Sequence, residues 1–109
     1  MAIVEDLMAV DIRVGEIIDV QPFPEAKRPA YQLWVNFGDA IGIKKSSAQI
    51  TECYQPKELM GKQVLGVVNF PPRQIAHFLS EVLVLGIYAE KGVVLITPDK
   101  PVKPGDKLG

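Results

Sequence analysis

The chain of 109 residues predicts a small all-β fold: five or six short strands in a barrel, with short helical segments. Three observations carry that expectation. Apolar and polar residues alternate with the period of two that a half-buried strand requires. The alternating runs are short and are punctuated by Gly, Pro, Asn and Asp, which build turns. Helical spacing is confined to two brief stretches. The length suits one domain, residues 1–109, burying roughly 65 % of the surface that its unfolded chain exposes.

The elements follow in order. "AIVEDLM" sets Ile3, Val4, Leu7 and Met8 on one side of a two-turn helix. Such a helix is unstable alone, so it is expected to pack on the barrel or on a partner subunit. "DIRVGEIIDVQPFP" places Ile12 and Val14, then Ile18 and Val20, in one phase. Gly15 between them predicts a bulge or bend in one long strand. "AYQLWVNFGD" turns Tyr31, Leu33, Val35 and Phe37 inward and Gln32, Trp34 and Asn36 outward. A Gly-Asp turn then leads into "AIGIKKSS", the return strand of a hairpin, with Ile41 and Ile43 expected inside.

In "AQITECYQPKELMGK" the alternation stops. Ile50, Cys53 and Tyr54 are spaced for a short helix or turn, Pro56 breaks any longer helix, and "PKELMG" adds a helical turn closed by Gly61. "QVLGVVNF", "EVLVLGI" and "GVVLIT" supply three more β-rich runs. The tail "PDKPVKPGDKLG" is expected to cover an edge or an end of the sheet. Five or six short strands, one long and bent, with a helical piece between the third and fourth, form the pattern of an OB-type barrel, with other small barrels as the alternative.

Composition excludes several function classes. A net charge of −1 argues against an indiscriminate nucleic-acid binder. Residues 1–19 hold five acids against Arg13, leaving eleven basic and eight acidic residues elsewhere, so a weak local basic face is available. No apolar run approaches the roughly 18 residues of a membrane span, and the first ten residues carry acids where a signal peptide carries bases. A cytoplasmic protein without membrane insertion is the expectation. Cys53, the single cysteine, agrees with a reducing compartment. His77 is the only histidine, nothing sets an activated nucleophile beside it, and neither metal-ligand spacing nor a Gly-rich phosphate loop is present. No enzyme activity, metal or cofactor is expected.

"NFPPRQIAHFLSEVL", residues 69–83, is a polar loop between two apolar runs. Asn69, Arg73 and Ser80 at a barrel mouth are able to hydrogen-bond phosphate or the backbone of an extended peptide. The same residue types also build turns, with Asn69 as cap, Pro71 and Pro72 as stiffeners and Ser80 bonded to backbone. Lys44 and Lys45 point to opposite faces of a regular strand, so one of them joins any given patch. Lys27, Arg28, Lys44 and Arg73 on one side would give four phosphate contacts and a salt slope of roughly −3 to −4. Trp34 on an outer face suits a stacked base, a greasy patch for an unfolded segment, or cover by a partner or the N-terminal segment.

"DIRVGEI", "FPEAKRPAYQL", "YQPKELMGKQVLGVVNFPPR" and "SEVLVLG" together resemble the tRNA-binding-domain family of OB folds. Within it, "VNFGDAIGIKKSSAQIT", "VVNFPPRQIA" and "SEVLVLG" are similar to the CsaA-type protein-export chaperones. The resemblance runs from about Asp11 to Gly109 and implies a five-stranded OB-fold barrel with N- and C-terminal extensions, assembled as a homodimer without catalytic activity. CsaA-type proteins are associated with unfolded or pre-secretory polypeptides and with the secretion motor ATPase, while the wider family binds tRNA.

On the chaperone reading, each subunit is expected to offer a groove near the dimer interface, lined by Trp34, Phe70, Phe78 and Leu79, with hydrogen bonds from Asn69, Arg73 and Ser80, which match the family's asparagine, basic and serine positions. For tRNA the resemblance implies Lys44, Ser47, Asn69, Arg73, Ser80 and Glu81. The chain departs from the family at His77, where glycine is usual, and at Leu79, where a polar or basic residue is frequent. Both departures favour peptide over phosphate. Ser47-Ala48-Gln49 stands where the tRNA proteins carry a Ser-Gly-Leu segment, which weakens the tRNA alternative.

Overall fold

A computed structural model describes all residues, 1–109. Its elements are α1 (Val4–Met8), β1 (Ile12–Pro22), β2 (Tyr31–Asn36), β3 (Ile43–Ala48), α2 (Pro56–Leu59), β4 (Gln63–Val67), β5 (Arg73–Ile75), β6 (Phe78–Ser80), β7 (Leu83–Val84), β8 (Gly86–Ala89) and β9 (Gly92–Leu95). Five strands form one antiparallel sheet in the order β3-β2-β1-β4-β7. The chain just before β7 closes it against β3, since the Glu81 and Val82 amides donate to the Lys45 carbonyl at 2.8 and 3.3 Å. The result is a nearly closed five-stranded barrel of the OB type.

Inward residues of β1, β2 and β4 fill the barrel: Ile17, Leu33, Val35 and Val64 are fully buried, joined by Leu59 of α2. The inward phase of β2 holds as the alternation predicts, from Tyr31 through Phe37. Two expectations shift. The irregularity in β1 falls between Ile17 and Asp19 rather than at Gly15, which turns Ile18 outward. Gly15 serves close approach instead: a Cβ there would lie 2.5 Å from Val35 Cγ1 and 2.8 Å from Phe37 Cε1. Ile43 is exposed and Ile41 only half-buried, because the register sets Ser46 opposite Leu33 and Ala48 opposite Tyr31, inside the barrel. The Ser46 hydroxyl stays satisfied there by donating to the Val82 carbonyl at 2.9 Å. Pro56 opens α2, the helical turn expected of "PKELMG", its missing N–H being no loss in the first turn.

The extensions differ in their packing. The C-terminal tail adds to the free edge of β1: the Val14 amide donates to the Asp106 carbonyl, and the Gly105 and Leu108 amides donate to the Val14 and Ile12 carbonyls, at 2.7–2.9 Å. Arg13 ties the tail down by donating to the Gly105 carbonyl and pairing with Asp11 at 2.7 Å. Helix α1 buries none of its residues. No helix is long and apolar enough to cross a membrane.

Candidate functional site

The polar loop folds into a hairpin, β5–β6, whose two-residue turn is Ala76-His77. One face of it docks on the outside of the barrel. Phe78, 6 % exposed, packs against Phe23 and Ala30 in a small second core, with ring centroids 5.4 Å from Phe23 and 5.7 Å from Trp34, the latter edge-on. The Lys45 ammonium lies 5.2 Å from the Phe78 ring centroid, a favourable seat over the negative face of the ring. Trp34 and Phe78 therefore hold the hairpin to β2, and Phe78 offers no surface to a ligand.

Most polar residues of the loop are also engaged. The Asn69 amide accepts from the Asp11 backbone at 2.8 Å and donates to the Ala9 carbonyl at 2.9 Å, fixing the segment after α1. The Ser80 hydroxyl accepts from the Ser47 amide at 3.0 Å, and the Glu81 carboxylate from the Lys45 amide at 3.0 Å. These side chains cap the free edge of β3 where the barrel closes. Arg73 makes no such bond and stays exposed.

Three clefts meet around the hairpin, and Ser47, Arg73 and Ile75 line all of them. The first, about 520 Å³, is walled by Lys27 and Arg28 from the β1–β2 loop together with Gln49, Gln74 and Glu25. A second, about 230 Å³, reaches Phe70, Pro71, Ser80, Glu81 and Leu83. The third, about 370 Å³, is lined mainly by apolar residues, among them Ile50, Leu83, Leu85, Tyr88 and Val93, with Ser47, Gln49 and Arg73 on its polar side. One groove thus extends from a cationic end to an apolar end. The single ion pair of the molecule joins Arg13 to Asp11, so Lys27, Arg28 and Arg73 have no carboxylate partner. Arg13 holds the Asp11 carboxyl below its usual value, chiefly through the hydrogen bond between them, but that pair lies outside the groove.

Of the residues singled out in the sequence, the groove gathers Ser47, Phe70, Arg73, Ser80 and Glu81. Trp34 and Phe78 stand behind it as supports, while Asn69 is turned away to Ala9 and Asp11. Leu79 is 37 % exposed on β6, and Lys44 sits opposite Val35 on β3; neither lines the groove. Lys27 and Arg28 do meet Arg73, without Lys44. The apolar wall of Tyr88 and Val93 went unrecognised, although the two-residue Glu90-Lys91 loop between β8 and β9 marks a hairpin able to carry it. No three His, Cys, Asp or Glu side chains cluster to hold a metal ion.

Comparison with known proteins places this geometry. A family model described as "Putative tRNA binding domain" matches residues 12–107. A crystal structure of a CsaA chaperone protein from Picrophilus torridus superposes with a TM-score of 0.96 at 54 % identity, covering 100 % of both chains. Chaperone CsaA from Bacillus anthracis superposes at 0.93 with 44 % identity, covering 100 % of this chain and 99 % of that one. Methionine–tRNA ligase of Leptospira interrogans is 35 % identical over 105 residues, 96 % of this chain but 14 % of the ligase. These matches mark a non-enzymatic binding domain.

Proposed function

The chain belongs to the tRNA-binding-domain family, and from that premise we propose that it is a polypeptide-binding chaperone of the CsaA type. Its groove takes extended segments of unfolded or pre-secretory proteins, and it acts in the cytoplasm in protein export, alongside the secretion motor ATPase. The observation that carries this reading is the composition of the groove. A phosphate backbone carries a charge at every nucleotide, whereas the cations here stop at Lys27, Arg28 and Arg73 and the surface continues over Leu83, Tyr88 and Val93. An extended polypeptide offers main-chain groups to Arg73 and Gln74 and apolar side chains to the far end.

A homodimer belongs to the same proposal. Ile3, the N-cap, and Val4, Leu7 and Met8 of the five-residue helix α1 are all at least 50 % exposed; such a helix would not persist alone, and a second copy is the cover we assign to it.

The family match also supports a second reading, in which Lys27, Arg28 and Arg73 contact tRNA. Three phosphate contacts give a salt slope of roughly −2 to −3. Titration with an unfolded pre-secretory polypeptide and with bulk tRNA, each at low and physiological salt, separates the two. The chaperone reading expects polypeptide binding that persists in salt while tRNA binding fades. The reverse result would sink it.

A further inference from the structure

We propose that the groove reads charge as well as greasiness: it selects polypeptide segments carrying carboxylates beside an apolar stretch, and disfavours segments that are basic there. The inference rests on the polypeptide-binding reading and adds a specificity to it.

Charge complementarity carries the argument. Lys27, Arg28 and Arg73 come from two separate parts of the chain, the β1–β2 loop and β5, and line one cleft. All three are exposed and none is paired. Glu25 is the one carboxylate on that wall and is not within ion-pair reach of any of them. The cleft therefore presents a net positive surface within a molecule whose net charge is −1. Ser47 and Gln49 on one side, and Arg73 and Ile75 on the other, continue without a break into the apolar cleft of Leu83, Leu85, Tyr88 and Val93.

An extended chain advances about 3.3 Å per residue and turns alternate side chains to one face. One such segment can lay a carboxylate against Arg73 and Arg28 while its apolar side chains reach Tyr88. Arginine presents a planar fork that matches carboxylate oxygens two at a time, so the charged end contributes geometry as well as attraction. A lysine or arginine of the segment placed there meets three cations of like sign. The basic start of a secretory leader is consequently the segment that this groove avoids, and acidic-apolar stretches are the ones it holds.

The test uses the full-length chain and three labelled peptides that share one apolar half and differ only in the other half, which is acidic, neutral or basic. Fluorescence anisotropy at physiological salt is expected to rank them acidic, neutral, basic, with about tenfold between the first two. Arg73→Gln combined with Arg28→Gln should equalise them. Tyr88→Ser, at a side chain 95 % exposed and so harmless to folding, should weaken all three alike. Equal affinities for the three peptides overturn the charge selection and leave polypeptide binding standing. Binding of none of them, with tRNA bound instead, overturns both.

Discussion

Strand β2 has two faces that bury apolar groups in two different ways. Its inner face gives Tyr31, Leu33 and Val35 to a twelve-residue core enclosed by the barrel. Its outer face gives Trp34 to a three-residue core of Phe23, Ala30 and Phe78 that rests on the barrel from outside. The first core makes the fold; the second fastens one hairpin to it. That hairpin carries Arg73, so the groove owes its shape to the smaller core and its existence to the larger one. Local stability in a protein need not equal global stability, and these two cores mark the division.

Removing a side chain from each core breaks the comparison most directly. Leu33→Ala leaves a cavity at a fully buried site and is expected to cost about 3 to 4 kcal/mol, read as a lower urea midpoint for the whole domain. Phe78→Ala removes a larger group but should lower global stability less, by about 2 kcal/mol, because the hairpin can open while the barrel stays folded. Hydrogen exchange tells them apart: amides of residues 73–80 should lose protection in the Phe78 variant, with those of β1 and β4 unchanged. Loss of protection throughout the barrel would mean that the two cores are one cooperative unit.

The sequence revealed the larger core far better than the smaller. Alternation in "AYQLWVNF" reports the inner face of β2 directly, since barrel interior and solvent differ sharply in polarity. It also marked Trp34 as outward, correctly, but outward does not mean free. Nothing local to Trp34 shows that Phe78, forty-four positions later, folds back onto it. The phase of β3 misled in the opposite sense, since Ile41 and Ile43 were expected inside where Ser46 and Ala48 stand. A serine reads as a surface residue, and only closure of the barrel places the Val82 carbonyl where the buried hydroxyl can donate to it. Asn69 and Ser80 were legible as either ligands or turn-builders, and long-range backbone partners, Ala9, Asp11 and Ser47, occupy them. Of the cationic set Lys27, Arg28, Lys44 and Arg73 that the sequence offered, the cleft gathers all but Lys44, and its continuation along β8 and β9 depends on how that hairpin leaves the barrel.

A smaller effect sharpens the contrast at the N-terminal end of β1. Asn69→Ala removes two hydrogen bonds that hold residues 9–11, at a cost of about 1 kcal/mol, and should free α1 without disturbing the groove. Protease sensitivity near Met8, with peptide affinity unchanged, is the expected signature. The neighbouring Asp11–Arg13 pair adds a pH dependence. The folded pKa of Asp11 lies below its ordinary value of 3.8, so the pair contributes stability above that pH and loses it as the carboxyl protonates on further acidification. Asp11→Asn should therefore flatten the acid limb of the stability curve and leave neutral pH behaviour little changed, because both partners are solvent-accessible.

The smallest effect lies at the tip of the rim hairpin, and its sign is the reverse of the others. Ala76 has φ of 52°, the only residue other than glycine with positive φ. Among the two-residue turns that suit the twist of paired strands, the one with a left-handed first central residue alone fits this pattern, and it calls for glycine there. A Cβ in that conformation costs roughly 1 to 2 kcal/mol, while glycine gives back roughly 0.5 to 1 kcal/mol through the greater freedom of the unfolded chain. Ala76→Gly should then stabilise the hairpin by about 0.5 kcal/mol, and Ala76→Val should destabilise it by more. Because the turn belongs to the smaller core, the gain should appear as slower exchange of the amides in β5 and β6, with little change in the barrel. If Ala76→Gly instead accelerates exchange in the hairpin, the turn is unstrained and the docking of Phe78 and Trp34 alone sets its stability.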